Sequence, residues 1–278
     1  MMKMKKKRQN KGASAANSYW LKRIQEQEQK ALSRTEKETA EELARIYRQT
    51  LVQVRNDILK VYSKVEADKE AGRELLINDF YRNNRYWELF ETINKRLAAL
   101  GQKQIKITEP KLLDLYKETH SIIGDEIPDD KVNTQFLYAP AVDAKQALFQ
   151  SWCLDGKKFS DRVWEDKTKM LELLKRELNT CVIQGKSPWE SANRIAEKLG
   201  VSERNAYRLM RTELAHAQNY AATEKYKQLG FTKGKWNASN CSCSHCKEQD
   251  GTIHPLTELA NQIPAHPNCR CTYSVVVD

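Results

Sequence analysis

Apolar residues recur at steps of three and four through the first part of the chain. Ala40, Ala44, Tyr47, Leu51, Val54, Ile58, Val61 and Val65 form a heptad stripe. It predicts a long helix packed against another helix, in this chain or in a neighbouring subunit. No proline precedes Pro110, so the first hundred residues are free to run as long helices. Residues 67–72, which end in glycine, interrupt the stripe. Asn84 is placed to cap a helix through Leu100, with Gly101 as its stop. Thr108 is placed to cap another running to about Ile123, with Gly124 as its stop. Residues 125–142 hold Pro128 and Pro140 with little periodicity and read as a connection and domain boundary.

The second half is punctuated more clearly. Ser160 can cap a helix bearing Val163, Trp164, Met170, Leu171, Leu174 and Leu178, ending near Gly185. Ser187, Pro188 and Glu190 make a capping box with proline at the first helical position. That helix is expected to end at Gly200, and Ser202 to open another that runs to about Leu229 and stops at Gly230. Residues 231–238 and 272–277 read as strands, the latter rich in β-branched residues, and can pair as a small sheet. The expected class is mainly α with a small C-terminal α+β module. The expected division is a basic disordered tail over 1–17, a helical region over 18–125, a connection over 126–155 and a C-terminal domain over 156–278. That last domain carries the small module from about 231.

Charge changes this picture only at the N-terminus. The net charge is +10, yet residues 1–23 contain eight cations (among them Lys3, Lys5, Lys6, Lys7, Arg8 and Lys11) and no acid, which leaves +2 for the other 255 residues. Such a tail can bind nucleic acid by counterion release without sequence preference, or can simply be solvated. No run of apolar residues is long enough to span a membrane, and the basic N-terminus lacks the apolar core of a secretory signal.

Five of the seven cysteines fall between Cys241 and Cys271. Cys243 and Cys246 form a C-x2-C pair, and His266, Cys269 and Cys271 an H-x2-C-x-C cluster. This is the spacing of a structural tetrahedral zinc site holding one ion, with disulfides or free thiols as the alternative reading. Cys243, Cys246 and Cys269 supply three ligands, and His266 and Cys271 compete for the fourth place. Cys241 reads as spare, His245 and His254 as solvent-facing, and Cys153 and Cys181 as buried apolar fillers. Neither the zinc-deaminase pattern nor H-E-x-x-H occurs, so no catalytic residue is nominated. Arg208, Arg211 and Glu213 lie on one stretch of helix. They read either as a phosphate- or partner-binding group or as an ion-pair network fixing the helix against the module.

Together these residues resemble a known family. Residues 159–164, the run from Arg208 to Glu213, Cys243 and Cys246 with Asp250-Gly251, and the run from His266 to Cys271 are similar in order and spacing to the phage head morphogenesis family. Its members are minor head (minor capsid) proteins of tailed phages and prophages like the Mu F protein. The resemblance implies a low-copy, non-enzymatic virion protein, made in the host cytoplasm and held inside the head near the portal vertex. It implies roles in procapsid assembly and in DNA packaging or ejection. The implied partners are the portal protein, other head proteins and double-stranded phage DNA, with self-association through the N-terminal helices as a further expectation and no membrane contact. The alternative reading is a zinc-containing nucleic-acid-binding or nucleic-acid-processing protein outside the virion.

Overall fold

The computed structural model describes residues 2–70, 84–132, 143–153, 155–184, 186–239 and 243–277. Side chains are described from Tyr19 onward, apart from scattered positions within the elements. In chain order the elements begin with α1 (Met2–Glu70) and α2 (Arg85–Glu126), followed by a 3-10 turn over Asp129–Lys131. Then come α3 (Ala144–Leu148), α4 (Phe159–Ile183), α5 (Pro188–Gln228), β1 (Lys233–Asn237), α6 (Ser244–Gln249), β2 (Ile253–Pro255), α7 (Leu256–Gln262) and β3 (Thr272–Val275). The mainly helical class with a small C-terminal sheet is thus borne out, with β2 and two short helices added. Residues 1–17 fall within α1 except for Met1, but their side chains lie outside the described residues, as do residues 133–142 of the expected connection and Cys241.

Two expected helix breaks are absent, and packing explains both. Gly101 does not end a helix, because α2 runs through it. A Cβ at Gly101 would stand 2.9 Å from the Trp164 ring, so this glycine lets α4 approach α2 closely. Thr108 is fully buried inside α2 rather than capping it, and Pro110 sits within the same helix on its exposed side. Gly124 also lies inside α2. Likewise α5 continues through Gly200 and Ser202. The Ser202 hydroxyl donates to Asp166 Oδ2 at 2.6 Å and accepts from Lys167 Nζ at 3.1 Å, so it serves a tertiary network instead of a cap. The capping box does open α5: Glu190 N–H donates to Ser187 Oγ at 3.2 Å. Asn84, at φ 55°, immediately precedes α2, and its carbonyl accepts from Glu88 N–H.

The chain divides into two compact units. One comprises residues 39–108 and 158–207, the other 1–38, 109–157 and 208–278. The first is helical. Its core includes Leu43, Ile46, Val54 and Ile58 of α1, Ile93 and Leu97 of α2, Val163 and Leu174 of α4, and Ile195 of α5. Here α1 and α2 run antiparallel, fixed by Asp57 with Arg96 (3.1 Å) and by the Tyr47 hydroxyl donating to Gln104 (3.2 Å). The long apolar stripe therefore packs within the chain. Tyr47, Val54 and Ile58 of the expected stripe are buried, whereas Ala40, Ala44 and Leu51 are only partly so, because Thr39, Leu43, Ile46 and Thr50 take the core positions beside them. Thr50 satisfies its hydroxyl on the Ile46 carbonyl, 2.9 Å away. Lys167 is buried, and its ammonium donates to Tyr47, Asp166 and Ser202, which meets the requirement that a buried charge be paired and hydrogen-bonded.

In the second unit α1 and α2 are again antiparallel, with Arg23 on Glu126 (2.8 Å), Arg34 on Glu118 (2.6 Å) and Lys111 on Glu38 (2.9 Å). One apolar core joins Trp20 and Ile24 of α1, Ile123 and Ile127 after the α2 midpoint, and Tyr226 of α5 to the C-terminal module. The module contributes Trp236, Leu256, Leu259, Tyr273 and Val275. The module is a three-stranded antiparallel sheet in the order β2-β1-β3, with Trp236 opposite Tyr273 and Gly234 opposite His254. Gly234 is required at its position: a Cβ there would lie 2.6 Å from Leu259, so α7 lies directly on β1.

Residues 212–223 of α5 form the centre of this unit. All but Tyr220 are buried. Among them, His216 is held neutral by burial, its pKa falling to about 3. On α1, burial raises Glu28 to about 8, and its Oε1 has no hydrogen-bond partner. The signs are opposite. Glu28 favours the folded state below its unfolded value of 4.5, and that contribution is lost as pH rises through about 8. His216 favours it above 6.5, and that contribution is lost as pH falls toward about 3. Stability measured by urea unfolding is therefore expected to decline between about pH 6.5 and 8. Glu28→Gln should flatten that decline and stabilise the protein at pH 8 by on the order of a few kcal/mol. An unchanged profile in the variant would show that Glu28 is ionised in the folded state.

Candidate metal centre

The cysteine and histidine residues nominated from spacing converge in the second unit. Cys243 caps the N-terminus of α6 through its carbonyl, which accepts from Lys247 N–H at 3.0 Å, and Cys246 lies one turn into the helix. A C-x2-C pair at a helix start places both sulfurs on the same side. His266, Cys269 and Cys271 come from the segment between α7 and β3. Two overlapping triads result, Cys243–Cys246–His266 and Cys246–Cys269–Cys271, and within each the donor atoms lie within 4.8 Å of one another. Cys246 belongs to both.

The two donor distances at Cys246 fit the edges of a tetrahedral site. With bond lengths of about 2.3 Å to sulfur and about 2.0–2.1 Å to nitrogen, a tetrahedral zinc sets sulfur–sulfur edges near 3.8 Å and sulfur–nitrogen edges near 3.6 Å. Cys246 Sγ lies 4.0 Å from Cys269 Sγ and 3.5 Å from His266 Nε2. The other ring nitrogen, Nδ1, lies 3.0 Å from the Pro267 carbonyl, which can only accept. The proton is thereby assigned to Nδ1, and the Nε2 lone pair is left facing the sulfurs, as a metal-ligating histidine requires. Burial pushes the Cys246 thiol well up, reinforced by Cys271 and Cys269, and burial also raises Cys269. Cys243 is exposed, and the backbone N–H of Cys246 holds its thiol below the ordinary value. Three thiols crowded in a buried space repel one another as thiolates, and a divalent cation among them removes that repulsion. These groups can hold a metal ion.

The turn that brings Cys269 back toward Cys246 is built by residues that spacing alone does not single out. Asn268 has φ 64°, the left-handed region that asparagine tolerates better than most residues. Cys269 N–H donates to the His266 carbonyl at 3.0 Å, closing the turn. The turn is then fixed to α5. Asn268 N–H donates to Thr212 Oγ1 (3.0 Å), Asn219 Nδ2 donates to the Cys271 carbonyl (3.3 Å), and the Tyr273 hydroxyl donates to the Asn219 carbonyl (2.6 Å) while contacting Thr223. Thr212, Asn219 and Thr223 were not read as site residues. Their spacing of seven and four on a helix otherwise rich in alanine is a buried polar stripe, and that is the sequence signal that marks them.

Arg211 takes part in the same attachment, whereas Glu213 faces a different partner. Arg211 Nε lies 2.7 Å from Glu36 of α1, and Arg270 of the cysteine cluster binds the same carboxylate, so Glu36 joins α1, α5 and the module. Glu213 accepts from Trp152 Nε1 at 3.0 Å, and Trp152 stacks on His216 with ring centroids 4.2 Å apart. Arg208 is exposed. His245 is exposed, whereas His254 is partly covered and lies 2.7 Å from the Thr252 hydroxyl. Cys181 is buried; Cys153 is only partly so. Asp250-Gly251 forms the expected turn, with Gly251 at φ 80°. The side chains of Lys3, Lys5, Lys6, Lys7, Arg8 and Lys11 lie outside the described residues.

A helical protein whose C-terminal module is closed around thiols and an imidazole is the class that fold and site define. Residues 172–274 match the family model described as Phage Mu protein F like protein. The match starts within α4, takes in all of α5 and ends in β3, so it contains every candidate metal ligand. This stretch is therefore Mu F-like, and the resemblance to phage head morphogenesis proteins is borne out. No curated protein and no solved structure matches the chain. Among the described residues no helix is long and apolar enough to cross a membrane.

The attachment of the turn to α5 is testable. Thr212→Val should remove the acceptor of the Asn268 N–H, lower stability by about 0.5–1.5 kcal/mol and increase protease cleavage within residues 240–278. Asn268→Gly should be tolerated, while Asn268→Val should resemble Thr212→Val. Equal tolerance of both Asn268 substitutions, measured by thermal unfolding, would show that the left-handed turn does not constrain the module.

Proposed function

We propose that this protein is a minor head protein of a tailed phage or prophage, associated with the portal vertex and acting in procapsid assembly and in DNA packaging or ejection. The match of residues 172–274 to the Mu F-like family carries the reading. It is a non-enzymatic role. Four protein ligands around an ion leave no open position for a substrate, which supports a structural zinc that pins a module of short strands. Non-specific contact with double-stranded phage DNA falls to the basic residues before Ser18, and contact with portal and other head proteins to the helical body.

The test is quantitative mass spectrometry of gradient-purified particles from a phage encoding this chain. A few copies per particle alongside the portal protein are expected. Absence from procapsids and mature heads alike would move the protein outside the virion, to a nucleic-acid-processing role. The DNA component is tested separately by deleting residues 1–17. The cut stops there because Trp20 and Ile24 belong to the core. The deletion should remove most retention on DNA and flatten its salt dependence without changing thermal stability. Unchanged retention would place the DNA contact on the body.

A further inference from the structure

The donor set has one member too many for a tetrahedral ion. Cys246, His266 and Cys269 are linked by the two edges that match tetrahedral spacing. The three are linked through Cys246 alone, since the donors fall into two triads that share only that residue, and each triad is completed by a further thiol. Cys243 Sγ completes a triad with Cys246 and His266, and Cys271 Sγ completes one with Cys246 and Cys269. Their settings differ sharply. Cys271 is buried, with its carbonyl held by Asn219, whereas Cys243 is exposed at the start of α6.

We propose that Cys243 and Cys271 are interchangeable fourth ligands, so that the ion stays bound by Cys246, His266, Cys269 and Cys271 while Cys243 is released as a solvent-facing thiol. This rests on the reading of the cluster as a metal centre. Released Cys243 is open to thiol–disulfide exchange with a disulfide-bearing partner. Its thiolate sulfur forms a bond to one sulfur of that disulfide, and the other sulfur leaves as a thiolate. The buried Cys271 keeps the coordination shell at three thiolates and one imidazole throughout, so the module is not unpinned when Cys243 reacts. A closed structural site and a reactive surface cysteine thus coexist in one cluster.

The experiment uses the full chain carrying Cys241→Ser, which removes a neighbouring thiol, and replaces the native ion with cobalt(II). The sulfur-to-cobalt charge-transfer band reports the number of bound thiolates. The expected result is a three-thiolate band in this protein, in its Cys243→Ser variant and in its Cys271→Ser variant, and a drop to the two-thiolate level when both are replaced. A drop in one single variant only would establish a fixed tetrad and overturn the exchange. Because Cys271→Ser disturbs a buried position, a second readout uses the cobalt-loaded parent protein without further substitution. Iodoacetamide should alkylate Cys243, identified by peptide mapping, with the three-thiolate band retained. Alkylation that abolishes the band, or protection of Cys243 for as long as cobalt is bound, would overturn the proposal. Absence of any cobalt band before alkylation would refute the metal reading itself, and the exchange with it.

Discussion

Buried polar groups must find hydrogen-bond partners, at a cost on the order of 1–3 kcal/mol where one is missing, and this protein places a row of such groups at the centre of one unit. Thr212, Asn219 and Thr223 are all nearly or fully buried on α5. They do not belong to an apolar interface and have no access to water. Each side chain donates within α5, to the Arg208, Ala215 and Asn219 carbonyls, and its remaining capacity is taken up by the cysteine segment and Tyr273. The helix thus presents a prepared row of hydrogen-bonding groups, and without it the segment between His266 and β3 would lose the contacts that fix its turn.

This attachment to α5 explains how so small a module can be ordered. Its strands are three to five residues long, and a sheet of that size has little apolar surface of its own. Three supports act together on it. Trp236, Leu259 and Tyr273 join a core that extends to Trp20 and Ile24. Glu36 binds Arg211 and Arg270 together. The sulfur and nitrogen donors converge on a space suited to an ion. Direct desolvation of an arginine is costly, and Arg270 has its pKa lowered by burial, so the shared carboxylate is needed to keep that charge in place.

The sequence made the chemistry more legible than the architecture. The metal-ligand spacing was readable because coordination geometry imposes local rules: two intervening residues at a helix start bring two sulfurs together. Helix starts with side-chain caps were also local, and Ser187 behaved as such. The failures all concern residues whose role depends on a distant partner. Gly101 resembles a stop until Trp164 is brought against it. Ser202 resembles a cap until Asp166 and Lys167 claim its hydroxyl. Thr39 and Thr50 stand outside the apolar stripe and lie in the core. No window along the chain contains that information. Asn268 is the intermediate case, since an asparagine between a proline and a metal-spaced cysteine does hint at a left-handed turn.

The interleaving of the two units bears on how the chain is made. Each unit draws its helices from both halves of the sequence, and the bond from Gln218 to the Glu28 carbonyl spans 190 residues. During synthesis, α1 leaves the ribosome long before the residues that cover Trp20 and Ile24 exist. Its apolar face must wait, exposed or shielded by other proteins, until β3 is complete. Topologies dominated by such distant contacts fold slowly and spend longer in states prone to aggregation. The matched stretch from 172 to 274 inherits the same dependence: made alone, it would carry Tyr226 and Trp236 without the α1 residues that bury them. Its smallest self-sufficient folding piece is therefore larger than the stretch that matches the Mu F-like model.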